Sequence, residues 1–181
     1  MSWNIDRSHS QITFSVRHMM ISNVHGRFEE FAGTVDFNEQ DPSLSTVSVE
    51  IDAASINTRE PQRDTHLTSP DFLNAAEFPK LTFRSTRVEL VGDSHARLHG
   101  DLTIRGLSRP VTLDVEYAGT AKSPWGTTSA GFSASTRINR KDWDLNWNVA
   151  LETGGILVGD TININIELEI VKQPESETQT A

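Results

Sequence analysis

The chain has 181 residues, with 16 Lys+Arg against 25 Asp+Glu for a formal charge of −9, and it contains no cysteine. One domain with a real core fits this length. The acidity excludes nucleic acid as the main partner, because phosphate binding needs a concentrated basic surface. Without cysteine there is no disulfide framework, thiol nucleophile or Cys-ligated metal.

The opening MSWNIDRSHS offers no basic n-region, apolar h-region or small-residue cleavage site, so the expectation is a cytoplasmic protein. No run approaches the ~18 apolar residues of a membrane helix, so no integral membrane segment is expected. From there, period-2 alternation dominates. Ile12, Phe14 and Val16 share one face, as do Phe31, Gly33, Val35 and Phe37, and then Val47, Val49 and Ile51.

Residues 58–74 break the alternation and carry helix signals. Ser69-Pro70-Asp71 places a cap residue before a proline and an acid, and Thr58 or Asn57 can cap a turn through Arg63–Leu67. Strand patterning resumes at Leu81 and Phe83. It continues through Ala96, Leu98, Gly100, Leu102 and Ile104, then Val111, Leu113, Val115 and Tyr117. Ala130, Phe132, Ala134 and Ile138 form a weaker run. After Arg140, which reads as part of a solvated strand end, Trp143–Gly155 suits a short helix from about 146 to 152. Ile162, Ile164, Ile166, Leu168 and Ile170 close the series, and residues 173–181 are polar and expected to be disordered.

About eight one-sided strands with short links imply antiparallel pairing, in a sandwich or a barrel. The chain thus reads as all-β, with one domain over 1–172 and two short accessory helices, at about 58–74 and about 146–152. Small inward residues (Gly33, Ala96, Gly100, Ala130 and Ala134) would leave room for a guest inside such a barrel.

Catalytic signals are weak. RDTHLTSPDF, residues 63–72, holds Asp64, His66 and Ser69, but residues two apart on a helix point about 200° apart. No HxH, HExxH, GxSxG, Walker or dinucleotide pattern occurs, so no metal, cofactor or catalytic residue is assigned. His18 continues the Phe14–Val16 face and would sit at the inner rim, within reach of a ligand's head group.

Several ordered stretches resemble one known family. They include Trp3-Asn-Ile-Asp6 with His9-Ser10, Ile12-Thr-Phe-Ser-Val-Arg-His18, Arg63-Asp64-x-His66-Leu67, Phe78-Pro79-Lys-Leu-Thr-Phe83, Gly100-Asp-Leu-Thr-Ile-Arg-Gly106 and Val158-Gly159-Asp160. With the matches between them, running to about residue 170, the chain resembles the YceI-like family of bacterial polyisoprenoid-binding proteins. That resemblance implies a lipocalin-like antiparallel barrel holding an isoprenoid in its interior, a helical segment near the middle of the chain, and often a homodimer. It implies no catalytic residues. Where the family usually has Phe-Gly after the Arg140 position, this chain has Trp143-Asp144, and Asp tolerates a left-handed conformation less easily than Gly.

The resulting expectation is a non-enzymatic carrier or store of a long apolar isoprenoid or fatty amphiphile, an isoprenoid lipid or isoprenoid quinone being the candidate ligand. Phe14, Val16, Phe31, Val35, Phe83, Leu102, Phe132 and Ile164 would line the tunnel. Phe72 and Leu73 would close part of it, with His18 and Trp143 near the rim. The rival readings are a hydrolase or isomerase using His18 or Asp64/His66, and an acidic interaction module with a filled barrel.

Overall fold

The computed structural model describes residues 3–152 and 154–172; the tail expected to be disordered, residues 173–181, lies outside them. Eleven strands form: β1 Trp3–Ile5, β2 Gln11–His18, β3 Ser22–Phe28, β4 Phe31–Asp36, β5 Thr46–Asp52, β6 Ile56–Asn57, β7 Lys80–Leu90, β8 His95–Ile104, β9 Leu107–Lys122, β10 Thr128–Asn139 and β11 Val158–Lys172. Every pairing among them is antiparallel. Eight close a ring in the order β1-β4-β5-β7-β8-β9-β10-β11, with β1 returning to β11. β2, β3 and β6 extend the sheet from the other half of β11. Closure removes the open edges that alternation alone leaves unresolved.

The first edge of the ring is broken on purpose-built chemistry. β1 and β2 pair with successive stretches of β11, and a 3₁₀ turn, Arg7–His9, separates them. Asp6 caps that turn by accepting from the Ser8 amide, while Ser10 both donates to the Glu169 carbonyl and accepts from its amide. His9 Nδ1 lies 2.8 Å from Asp6 and 3.6 Å from Glu169.

One end of the barrel is filled by aromatic rings. Trp3 is 1% exposed and donates its indole N–H to the Phe37 carbonyl at 3.1 Å. Phe37 then meets Phe132 edge-on at 5.2 Å and Tyr117 at 5.6 Å. The other end is covered by the one α-helix among the described residues, α1, Pro61–Thr68, and by the irregular segment between β10 and β11.

Two sequence-level helix readings need correcting here. Ser69 ends the helix instead of starting one: Glu60 is the N-cap, accepting from the Gln62 and Arg63 amides ahead of Pro61. Ser69 closes the last turn, its hydroxyl donating to the His66 carbonyl at 2.6 Å. Thr58, instead of capping, is 3% exposed and latched by both the Asp64 carboxylate and the Arg63 guanidinium.

The second expected helix, about 146–152, does not form. A 3₁₀ turn over Arg140–Trp143 ends at Asp144, and irregular chain follows, with one bridge from Ala150 to Ile156. The reason is Arg140, which is buried (2% exposed) and not solvated as a strand end. Its guanidinium donates to the carbonyls of Leu145, Trp147, Val158 and Gly159 at 2.6–3.3 Å. Only Trp147 of these lies inside the expected helix, and its carbonyl is drawn to Arg140 together with those of Leu145, Val158 and Gly159, which holds the segment on an irregular path. Asn148 adds to this by bonding both the amide and the carbonyl of Val158. Burial presses the Arg140 pKa downward, against which the nearby Asp160 carboxylate pushes up.

Arg140→Met should therefore lower stability by about 3 kcal/mol or more, since several buried carbonyls lose their donor at once. Urea melts of the variant measure it, and an unchanged midpoint would contradict the clamp.

The broken edge predicts a pH window. Hydrogen bonds from Ser8 and His9 hold the Asp6 carboxyl down at about 2, so its contribution is present above its ordinary 3.8 and lost as pH falls toward 2. The Asp6 hydrogen bond, helped by Glu169, raises the His9 pKa above 6.5, so that contribution is full below 6.5 and lost as pH rises past the raised value. His9→Gln should be less stable than the parent in mildly acidic buffer and equal to it well above neutrality, as read by parallel urea melts.

Candidate functional site

The barrel interior retains a cavity of about 470 Å³, within the size range of small-ligand sites. Its walls come from nearly every strand of the ring, because each contributes alternate side chains inward. β10 has 12 residues, so the interior is roughly 30 Å long along its axis, at ~3.3 Å per residue and ~40° tilt.

Of the twelve residues expected around a ligand, eleven border this cavity. Phe14, Val16 and His18 come from β2, Phe31 and Val35 from β4, Phe83 from β7, and Leu102 from β8. Phe132 and Ile164 face it from β10 and β11, and Phe72 and Leu73 from the segment after α1. The exception is Trp143, which the structure places in the core and off the cavity wall. It is 2% exposed, sits in the main core cluster and donates its indole N–H to the Leu102 carbonyl at 2.9 Å, so it is core rather than rim. Asp144 adopts the left-handed conformation (φ 58°, ψ 25°). Asp144 thus takes a backbone conformation that favours Gly, at the cost of some strain.

The small residues act differently from the expectation. Ala96 and Ala134 border the cavity. Gly100 instead accommodates the Phe83 ring, and Gly33 lets β4 approach the Ser48 carbonyl, since a Cβ at either would collide. Ala130 is sealed into the aromatic end beside Ile170. The void is thus shaped by where large side chains stop, and less by a stripe of small ones.

At the helical end, three rings form a lid. His66 meets Phe72 edge-on at 5.1 Å and Trp147 at 4.7 Å, and Phe72 lies 5.4 Å from Trp147. Asp71 fixes the imidazole through a 2.9 Å contact to Nε2, and Arg105 holds the Phe72 carbonyl at 2.9 Å. Trp147 was not anticipated at the site. Its period-2 spacing with Leu145 is visible in sequence, but a helical reading obscured it.

The polar groups of RDTHLTSPDF are dispersed. Asp64 accepts from the Thr58 amide and hydroxyl, His66 faces Asp71, and Ser69 binds a carbonyl. Polar side chains that reach the cavity at this end include Arg17, His18, Arg63, His66 and Arg140. Among the described residues no helix is long and apolar enough to cross a membrane.

These features define a class: a closed antiparallel barrel with an apolar interior, aromatic rings packed toward one end and a short helix over the other. The YceI-like domain matches residues 3–170, and the chain belongs to that family. It is 39% identical over 145 residues to Protein YceI of Escherichia coli O157:H7, covering 79% of this chain and 75% of that protein. The structure of the Campylobacter jejuni YCEI protein superposes with a TM-score of 0.76 at 33% identity, covering 87% of this chain and 90% of that one. A polyisoprenoid binding domain from Saccharophagus degradans shares the fold at a TM-score of 0.68 and 14% identity, over 94% of this chain and 98% of that one.

Asp144→Gly should stabilise the protein by up to ~1 kcal/mol by removing a non-glycine left-handed residue. Thermal melts check this, and a loss of stability would mean that the Asp side chain itself holds the turn.

Proposed function

We propose that this protein binds a long isoprenoid, or a similar amphiphilic lipid such as an isoprenoid quinone, inside the barrel, and carries or stores it without chemical change. The observation that carries this reading is the cavity: about 470 Å³, lined mostly by Phe, Leu, Ile and Val, within a closed ring. Such a wall offers an apolar chain burial and offers a polar substrate almost nothing. The polyisoprenoid-binding description of the Saccharophagus degradans domain supports the same ligand class.

A non-catalytic role is supported by how the reactive groups are spent. A base needs to reach the proton it abstracts, whereas Asp64 is committed to Thr58 and His66 faces Asp71. His18, Arg63 and His66 instead ring one end of the void and suit an oxygen-rich head group.

Each CH₂-sized unit buried should add about 0.8 kcal/mol, roughly fourfold in affinity, until the cavity is full. Binding of a prenyl alcohol series of rising length, measured by calorimetry, should therefore show steep gains and then a plateau. Ala134→Phe, which intrudes between the walls of β9, β10 and β11, should weaken the longest ligands by about tenfold or more. Organic extraction of the freshly purified protein followed by mass spectrometry should yield a prenyl lipid. Equal affinity for short and long chains, with no lipid extracted, would overturn the reading.

A further inference from the structure

Nine large apolar side chains are markedly exposed among the described residues, and five of them meet at the helical end of the barrel. Met19, Met20 and Ile21, in the β2–β3 turn, are 43%, 56% and 80% exposed; Val149 and Ile156, on the facing segment, are 46% and 36%. The two segments are physically joined. The Met19 amide donates to the Leu157 carbonyl at 2.8 Å, the Leu157 amide donates to the Val149 carbonyl, and the Met20 sulfur lies over Gly155. Leu157, Val158, His18 and Trp147 continue this surface inward as cavity wall.

The turn that holds the methionines out is strained. The Ile21 amide closes it on the His18 carbonyl, and both central residues have positive φ, 52° at Met19 and 64° at Met20. A turn with positive φ at both central residues favours Asn and Gly, and apolar side chains are costly there. The backbone chemistry therefore disfavours two methionines, so they are not explained by the turn itself.

Charge narrows the partner. The β2–β3 hairpin, residues 11–28, has no Asp or Glu in a chain with 25 acids and carries Arg17 next to the tip, while Arg27 at its far end is paired with Glu29; the facing segment adds Glu152, so the face is close to neutral. The exposed Leu44, Leu90 and Val91 at the opposite end sit beside Asp41 and Asp93, and Trp125 stands on a separate hairpin tip. Area narrows it further. From their fractional exposures, the five side chains present on the order of 500 Å², against the ~800 Å² per partner of a stable protein interface. That is too little for a lasting dimer, and it suits shallow insertion into a lipid headgroup boundary.

We propose that this end of the barrel docks on a phospholipid bilayer, with the Met19-Met20-Ile21 turn as the inserting tip and the adjacent lid as the route of lipid exchange. The exchange step rests on the lipid-carrier reading above; adsorption does not, and the two are measured separately.

The test uses flotation with phosphatidylcholine vesicles containing a minor fraction of phosphatidylglycerol. The wild-type chain should float with the vesicles. The double substitution Met19→Asn, Met20→Gly should weaken that association at least ~10-fold while raising Tm by about 2–4 °C, because the turn loses its strain. Ile21→Glu should weaken it similarly. Binding of a fluorescent prenyl probe in vesicle-free buffer should be unchanged in both variants. Wild-type protein that stays in solution, or variants that float as well as the parent, would overturn the proposal. So would variants that convert a dimer to a monomer by size-exclusion chromatography without altering flotation, since the face would then belong to a second copy. If flotation persists but the prenyl probe does not bind wild-type protein, the carrier reading fails and the docking surface stands.

Discussion

The guanidinium of Arg140 organises the functional end of this barrel. It sits at the junction of β10 with the irregular segment, almost fully buried, and is answered by four backbone carbonyls. A buried charge is tolerated only when its donors are satisfied, so the chain from Leu145 to Gly159 must bend to present those carbonyls. That bend places Trp147 against His66 and Phe72 and sets Val149 and Ile156 at the barrel mouth. One positive charge thus fixes the lid, the rim and the start of β11.

The two ends of the barrel are built on different principles. At the β1 end, Trp3, Phe37, Tyr117 and Phe132 interlock, and the Trp3 indole bonds a backbone carbonyl, which leaves little freedom to open. At the helical end, α1 has no fully buried residue; Leu67 packs against the core, and the polar knot of Thr58, Arg63 and Asp64 ties down its start. Elements with few buried apolar contacts are those that open most readily.

Much of the barrel was legible from alternation alone. The run from Ala96 to Ile104 and that from Ile162 to Ile170 name their inward faces directly, because a strand's period of 2 leaves no ambiguity once one face is dry. Family resemblance placed the helical segment but not its boundaries: Ser69-Pro70 looks like a helix start, yet Glu60-Pro61 nine positions earlier carries the actual cap. Both sites obey the same local rule, and only the packing of Leu67, Phe72 and Leu73 against the cavity chose between them. The segment 146–152 misled for a related reason, since its composition suits a helix but Trp147 and Asn148 are bound from outside it by Arg140 and Val158.

What the sequence by itself determined is the set of dry faces, the antiparallel pairing and most of the cavity wall, since local periodicity and short connections suffice for these. What the tertiary structure decided are matters of long-range satisfaction. Closure depends on a three-residue β1 bridging β4 and β11, Trp143 turns away from the cavity to bond Leu102, and Gly100 makes space for Phe83 and not for a guest. Periodicity says which way a side chain points. Only the assembled barrel says whether the space it points into is already taken.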